Sequence, residues 1–288
     1  MSKKRLIFSI YINFTYAGGD LNEYEPRHDL NLNVSLISYL QKKYAEKCNA
    51  DYKLVGYGNL FHDLENYLKE KEIYEGEYQS IQHFKFYLLE KFSKEYDEIV
   101  YFDLDVIPNT DENIFEAFDF NKGILMHGFH DDRPENVENI EEGWLTYVPM
   151  KRSVAVKYAL MKSLCKNRNV ESKLQKVLNT GIMGFTSQQI QDMSYMKSLS
   201  WAGVDVWRIK TKGTNFYQKE IEKLFNINNE SVVSFLISIH NLPFQDLGSK
   251  WHWVWNHRNK NEPIAPDAKI VHIINKQFNQ FFNVEKVQ

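Results

Sequence analysis

Two aspartates, Asp103 and Asp105, stand two residues apart directly after the apolar segment EIVYF. That segment has the composition of a buried strand, and the pair stands at its carboxyl end. In an extended chain, residues two apart point to the same side, so both carboxylates can face one cation. Ligand sites of open α/β sheets lie beyond the carboxyl ends of the strands. The pair therefore indicates a divalent-cation site; the alternative is that the two aspartates are strand-end caps or turn residues.

The residues on both sides of this pair favour the cation site. The aspartates lie between IVYF and VIP, which predicts burial of both carboxylates. Buried carboxylates this close together repel each other and lose solvation unless a cation or hydrogen bonds compensate.

The chain around the pair alternates between strand patterns and helix patterns. Apolar runs predict strands at residues 5–13, 54–58, 98–102, 123–128, 181–185 and 269–274. Apolar residues spaced three and four apart predict helices at residues 34–48, 78–94, 154–164 and 231–240. Strands that alternate with helices predict a largely parallel sheet that is covered on both faces.

Composition and charge exclude several classes of protein. The 288 residues are 43% hydrophobic and 25% charged, which is typical of a globular chain rather than of a disordered tail or a membrane bundle. The 35 basic and 38 acidic residues give a net charge of -3, which argues against a nucleic-acid partner. No linker-like change in composition divides the chain, so we expect one domain over residues 1–288.

The cysteines predict the compartment of the protein, and the lengths of the apolar segments predict whether it crosses a membrane. Cys48 and Cys165 are far apart, which argues against a disulfide framework and favours a reducing compartment, the cytoplasm, or the host cytoplasm for a viral protein. No apolar stretch approaches the about 20 residues of a membrane span, so we expect no transmembrane segment.

Four segments resemble one family of enzymes. YFDLDVIPNTDENIFE is similar to the DxD segment of metal-dependent glycosyltransferases with the GT-A fold, most of all glycosyltransferase family 8 and its relatives. LNTGIMGF, NNESVVSFLI and IVHII resemble later segments of that family, in the same order. The resemblance covers most of the chain. It implies a GT-A, Rossmann-like three-layer α/β/α fold with a mostly parallel mixed central sheet.

The resemblance also implies a set of cation ligands and donor contacts. Asp103, Asp105 and His272 would hold Mn²⁺ or Mg²⁺ against the diphosphate of a nucleotide-sugar, a donor set that suits Mn²⁺. Without the resemblance, the interpretation of His272 is an ordinary histidine within a strand. The basic side chain of Lys85 would contact the donor diphosphate and Asp103, or else snorkel to the surface. Lys276 would reach the diphosphate, or else be a surface lysine.

The remaining donor contacts are expected where the first strand ends. By the same resemblance, Tyr11 and Asn13 would line the base and ribose of the nucleotide. Packing within the sheet is the alternative interpretation of Tyr11.

Two further residues are expected to act on the sugar. Asn179, followed by Thr180 and Gly181 in a turn that enters a strand, can bond sugar hydroxyls or simply form the turn. Glu230 would lie near the reacting carbon of the sugar; the alternative is an acid in the first turn of a helix, stabilised by the helix dipole. The family often has an aspartate-glutamine pair where this chain has Asn229-Glu230.

Three tryptophans precede the last strand pattern. Trp251, Trp253 and Trp255 alternate along SKWHWVWNHR and are expected on one face of a strand, with His252 on the other face. They would either stack on the apolar faces of an acceptor sugar or pack in the core.

Together these features predict a glycosyltransferase that moves a hexose-type sugar from a UDP-linked donor to a hydroxyl of a glycan or other acceptor. Retention of the anomeric configuration is implied by the resemblance. One alternative is a carbohydrate-binding protein on the same scaffold without turnover. The other is a sugar nucleotidyltransferase, which usually has a glycine-rich basic loop after its first strand; residues 14–29 contain glycines but no convincing loop of this kind.

Overall fold

The computed structural model of the chain describes residues 3–12, 25–128, 154–214, 217, 219–255, 264–274 and 278. Within these residues the strands are β1 (Arg5–Ile10), β2 (Asp51–Val55), β3 (Glu98–Phe102), β4 (Val106–Pro108), β5 (Ile124–Gly128), β6 (Leu178–Thr186), β7 (Phe244–Asp246), β8 (Trp253–Trp255) and β9 (Ile270–Ile273). The α-helices of the same residues are α1 (Glu25–Lys47), α2 (Asn59–Glu70), α3 (Glu77–Phe92), α4 (Ile114–Ala117), α5 (Val154–Asn167), α6 (Ser187–Met193), α7 (Tyr195–Lys212), α8 (Lys219–Glu222), α9 (Asn229–Ile239) and α10 (Gly248–Trp251).

Six strands form a central sheet in the order β2-β1-β3-β6-β5-β7. Strand β6 runs antiparallel to its neighbours β3 and β5, and the other pairs in the sheet are parallel. The sheet is therefore mixed and mostly parallel, which confirms the predicted α/β fold class.

Helices cover both faces of this sheet because its central strands are apolar on both sides. In β3, Ile99 and Tyr101 belong to one core cluster, which also includes residues of α2, α3 and α9. Val100 and Phe102 belong to a second cluster with residues of α1, α4 and α10. This alternation follows from the two-residue period of a strand. The three-layer arrangement expected from the sequence is confirmed.

A second sheet of three strands, in the order β4-β9-β8, lies apart from the first. The strand predicted at residues 269–274 forms as β9, but it pairs with β4 and β8 instead of joining the central sheet. Its pairing with β4 places His272 opposite Val106, three residues after Asp103. The second sheet thereby places β9, which carries His272, next to the aspartate pair.

Most predicted elements form, with shifted bounds. Strand β2 ends at Val55, so Gly56 and Gly58 precede α2 instead of lying in a strand. The three tryptophans do not share a strand face, because Trp251 ends α10 and β8 begins at Trp253. No helix in the described part of the chain is long and apolar enough to cross a membrane.

Candidate metal centre

The two aspartates converge through a tight turn. Strand β3 ends at Phe102, and the Val106 N–H donates to the carbonyl of Asp103 at 3.0 Å. The expectation of an extended segment from Asp103 to Asp105 is therefore wrong, although their carboxylates do lie close together. Leu104, within this turn, packs into an apolar cluster that also includes Ile107.

His272 completes the cluster from the neighbouring strand. The Ile273 N–H donates to the carbonyl of Asp105 at 2.8 Å, which fixes β9 against the turn. The Nε2 atom of His272 lies 3.3 Å from Asp105 Oδ1 and 4.0 Å from Asp103 Oδ2. One ligand atom of each residue lies within 4.8 Å of the others, so the structure brings the three predicted ligands together.

Burial of the cluster is uneven. Asp105 and His272 are buried, whereas the side chain of Asp103 is 29% exposed. The cluster is therefore accessible from the side of Asp103.

The second oxygen of Asp103 is held by two donors. Oδ1 accepts from the Tyr101 hydroxyl at 2.5 Å and from Lys85 Nζ at 2.9 Å. Burial, together with the nearby charges of Asp103 and Asp105, holds the pKa of Tyr101 well above its usual range, so its hydroxyl stays a donor. Lys85 is buried and points inward, so the alternative of a snorkelling surface lysine is wrong.

A buried glutamine holds the backbone of the turn. The Nε2 atom of Gln41 donates to the carbonyls of Asp103 at 3.1 Å and Val106 at 2.9 Å. Its Oε1 atom accepts from Ser9 and Tyr52. Sequence reasoning missed this residue, although a polar side chain four residues after Ile37 on an apolar helix face was a visible signal.

Asn179 and Thr180 lie inside β6, so the predicted turn at this point is wrong. The Asn179 Oδ1 atom accepts from the Gly181 N–H at 2.7 Å. Thr180 accepts from Lys85 Nζ at 3.2 Å through both its carbonyl and its hydroxyl. Strand β6 thus holds the lysine that contacts Asp103.

Gly181 stands where the His272 ring crosses β6. A Cβ atom built on Gly181 would lie 2.3 Å from Cε1 and 2.6 Å from Nδ1 of His272, closer than atoms can approach. The position therefore needs glycine for the close approach of the ring.

Glu230 lies in the first turn of α9, as its alternative interpretation expected. The side chain of Asn228 caps this helix by accepting from the Glu230 and Ser231 N–H groups. The Glu230 side chain, 10% exposed, forms an ion pair with Lys157 of α5, a partner that sequence reasoning missed. Next to it, Asn229 Nδ2 donates to the Thr180 hydroxyl at 3.0 Å, which connects α9 to the cluster.

Tyr11 follows β1 directly. Because β1 and β3 are parallel neighbours, Tyr11 lies at the same sheet edge as Asp103. Its side chain is half-buried and its hydroxyl donates to Asn31 at 3.2 Å. Asn13 and Lys276, the other expected donor contacts, lie outside the described residues.

Two more histidines, His252 and His127, extend the cluster beyond His272. The His252 Nε2 atom is 3.0 Å from His272 Nδ1, and the two rings meet edge to edge with their planes inclined by 28°. The ring of His127 lies 5.7 Å from that of His252, and its Nδ1 atom is 2.5 Å from Asp246 Oδ1. Burial, and then the charges of His272 and His127, hold the pKa of His252 well below its usual range.

The chemistry of the cluster suits a divalent cation. Two carboxylates and one imidazole are ligands that Mn²⁺ accepts, and Mg²⁺ prefers oxygen ligands. The two carboxylates lie close together and are largely removed from water, which is costly unless positive charge compensates. Lys85 supplies one such charge, and a bound cation would supply more.

Comparisons with known proteins give similarity in structure only. No family model and no curated protein sequence matches the chain. It is similar to mouse xyloside xylosyltransferase 1, with a TM-score of 0.47, 11% identity, and coverage of 94% of this chain and 98% of that one. It is also similar to a glycosyltransferase involved in the glycosylation of the major capsid of PBCV-1, with a TM-score of 0.49, 10% identity, and coverage of 99% and 100%.

A third similar structure is that of the galactosyltransferase LgtC, with a TM-score of 0.44, 8% identity, and coverage of 93% and 87%. All three neighbours are glycosyltransferases. Each of the three TM-scores is below 0.5.

Proposed function

We propose that the protein is a glycosyltransferase that transfers a hexose-type sugar from a UDP-linked donor to a hydroxyl of a glycan or other acceptor. The reaction depends on Mn²⁺ or Mg²⁺. The observation that carries the proposal is the convergence of Asp103, Asp105 and His272 beyond the carboxyl end of β3. Ligands of open α/β sheets bind at this edge.

The residues in and beside the cluster would have different roles at the donor diphosphate. Asp103, Asp105 and His272 would hold the cation, and a cation there would supply positive charge to offset the negative charge of a nucleotide diphosphate leaving group. Lys85 holds Oδ1 of Asp103 and leaves Oδ2 on the side of His272. Its ammonium group also adds positive charge beside the diphosphate, because it is buried next to the cluster.

The sugar would lie between the cluster and α9. Asn229 contacts Thr180, which contacts Lys85, which contacts Asp103, so the first turn of α9 is connected to the cluster by three hydrogen bonds. In this proposal Glu230 and Asn179 contact hydroxyls of the donor or acceptor, and transfer retains the anomeric configuration. The resemblance to family 8 supports these roles.

The remaining contacts that we propose for the donor rest on the same resemblance. Tyr11 and Asn13 line the base and ribose, and Lys276 reaches the diphosphate. The position of Tyr11 at the edge shared with Asp103 supports its part of this proposal. A single domain over residues 1–288 and a cytoplasmic location stay predictions.

Thermal unfolding with nucleotides tests the donor site directly. The purified protein is mixed with UDP, GDP, CDP or ADP, each with and without Mn²⁺. A ligand that binds only the folded state raises the melting temperature as its concentration exceeds its dissociation constant. We expect a rise with UDP that requires Mn²⁺, followed by cation-dependent release of UDP from a UDP-sugar and an acceptor.

Two other outcomes would replace the proposal. Sugar binding without any effect of nucleotide or cation would favour a carbohydrate-binding protein. Release of pyrophosphate from a nucleoside triphosphate and a sugar phosphate would favour a nucleotidyltransferase.

A further inference from the structure

Both ring nitrogens of His272 face polar partners. Nε2 faces the carboxylates of Asp103 and Asp105, and Nδ1 lies 3.0 Å from His252 Nε2. A neutral imidazole carries its proton on one nitrogen and a lone pair on the other. For Nε2 to bind a cation, the proton of His272 must be on Nδ1, where it points at His252.

We propose that His252 is a positioning residue for the cation ligand His272. Its Nε2 atom accepts the Nδ1–H of His272 and thereby keeps the Nε2 lone pair of His272 directed at the two carboxylates. Ligating histidines usually donate their second N–H to a carboxylate, a carbonyl or a water, and here a second imidazole takes that place. This inference rests on the proposed function, because it requires a cation at the cluster.

The surroundings of the two rings support this assignment. His252 is 1% exposed, and its ring lies at 28° to that of His272 with 5.2 Å between centroids. The missing side chain of Gly181 leaves room for Cε1 and Nδ1 of the His272 ring. The ring is therefore in close contact with both β6 and His252.

The backbone places both histidines through one strand pairing. His252 precedes β8 directly, and β8 pairs with β9 so that Val254 lies opposite His272. The His252 N–H also donates to the carbonyl of Gly248 at 3.1 Å. The partner of the ligand is thus fixed by the same sheet that carries the ligand.

Direct titration with Mn²⁺ tests the proposal without relying on turnover. Free Mn²⁺ is followed by its electron paramagnetic resonance signal in the wild type and in the variants His252→Phe and His252→Gln. His252→Phe keeps a buried ring but cannot accept a hydrogen bond, and we expect Mn²⁺ affinity about 10- to 100-fold lower. His252→Gln offers a carbonyl oxygen as acceptor, and we expect affinity within about threefold of the wild type.

His127→Phe is the matched control. His127 is buried beside His252, and its Nδ1 atom contacts Asp246 rather than His272. We expect this variant to bind Mn²⁺ as the wild type does. Thermal unfolding of each variant establishes that it is folded.

The outcomes separate this inference from the proposed function. If the wild-type protein binds no Mn²⁺, both the proposed function and this inference are wrong. If the wild type binds Mn²⁺ and a folded His252→Phe variant binds it with equal affinity, only this inference is wrong.

A second measurement tests the proposal even if His252→Phe does not fold. In the wild-type protein loaded with diamagnetic Mg²⁺, the nitrogen chemical shifts of the imidazole of His272 report which nitrogen is protonated. We expect protonation at Nδ1. Protonation at Nε2 would overturn the proposal.

Discussion

Two buried acidic regions of this protein differ in what faces their carboxylates. In the cluster beyond β3, Asp103 and Asp105 converge on each other and on an imidazole. At the start of α9, Glu230 faces the ammonium group of Lys157 in an ion pair. The first region has two carboxylates and one lysine ammonium group, that of Lys85, whereas the second pairs one carboxylate with one ammonium group.

The difference separates binding a cation from positioning an acid. Like charges that are brought together by a turn and a strand pairing are stabilised by a ligand of opposite sign. An acid already paired within the fold is held in one orientation and needs no such ligand. Changes in the first region should therefore alter the response to cations, and changes in the second should alter turnover and stability but not the response to cations.

Asp105→Asn should have the largest effect. The amide removes one negative charge from the cluster, and we expect cation-dependent turnover to fall by about 100-fold or more, since the cation supplies several kcal/mol. Turnover is measured against Mn²⁺ concentration. The control is Asp63→Asn, the same change at an exposed position on α2, which should leave turnover unchanged. Full activity of a folded Asp105→Asn variant would remove the cation assignment.

Gly181→Ala should come next. The new methyl group would overlap the ring of His272, so the ring must move away from the carboxylates. We expect Mn²⁺ affinity to fall by about 10- to 100-fold, as when a ligand loses its orientation. Gly56→Ala is the matched control, because a Cβ there meets its nearest atom at an ordinary 3.6 Å. Equal affinities of the two variants would contradict the role given to Gly181.

Glu230→Gln should leave Mn²⁺ affinity unchanged and lower turnover. The amide cannot pair with the Lys157 ammonium group, whose side chain is only 15% exposed. We expect the free energy of unfolding to fall by about 1–2 kcal/mol, less than for a fully buried pair because the lysine keeps some contact with water. Mn²⁺ titration, a turnover assay and urea unfolding check the three parts in turn. A drop in Mn²⁺ affinity would erase the contrast between the two regions.

Mild acid should have the smallest effect, and it acts near α9 through His83. This buried residue contacts the Tyr195 hydroxyl through Nδ1 and donates to the carbonyl of Ile227 through Nε2, one residue before the cap of α9. Burial, aided by the charge of Lys85, lowers the pKa of His83 to about 4, although its bond to Ile227 opposes the shift.

The sign follows from which state takes up the proton first. The unfolded chain is protonated at His83 as pH falls below about 6.5, whereas the folded protein resists down to about 4. Stability should therefore fall by about 1 kcal/mol between pH 6.5 and 5.5 through this group. Urea unfolding at both values should show a smaller difference for His83→Gln, and an unchanged difference would contradict the assignment.

The local patterns of the sequence account for much of the fold. Apolar spacing predicted α1, α3, α5 and α9 and most strands of the central sheet, because burial of one helix face or of both strand faces leaves a periodic trace. Sequence analysis missed α2, α6 and α7. The predicted turn at Asn179 was wrong because β6 extends further toward its start than the apolar run GIMGF indicated.

The candidate site was predictable in its residue types but not in its supports. The order of the motifs pointed to Asp103, Asp105 and His272, which the fold brings together. The side chains that hold them come from distant parts of the chain. Gln41 is 62 residues from Asp103, and Lys157 is 73 residues from Glu230.

Local residue patterns suffice to predict the alternation of strands and helices and the acidic pair after β3, since both depend on residues close in sequence. Three-dimensional packing sets the turn through which Asp103 and Asp105 meet, the pairing of β9 with β4, and the contact of His252 with His272. Pairing between strands leaves no periodic signal, because any apolar strand can pair with several others. Packing of the whole chain selects one of these pairings, and with it the neighbours of each candidate ligand.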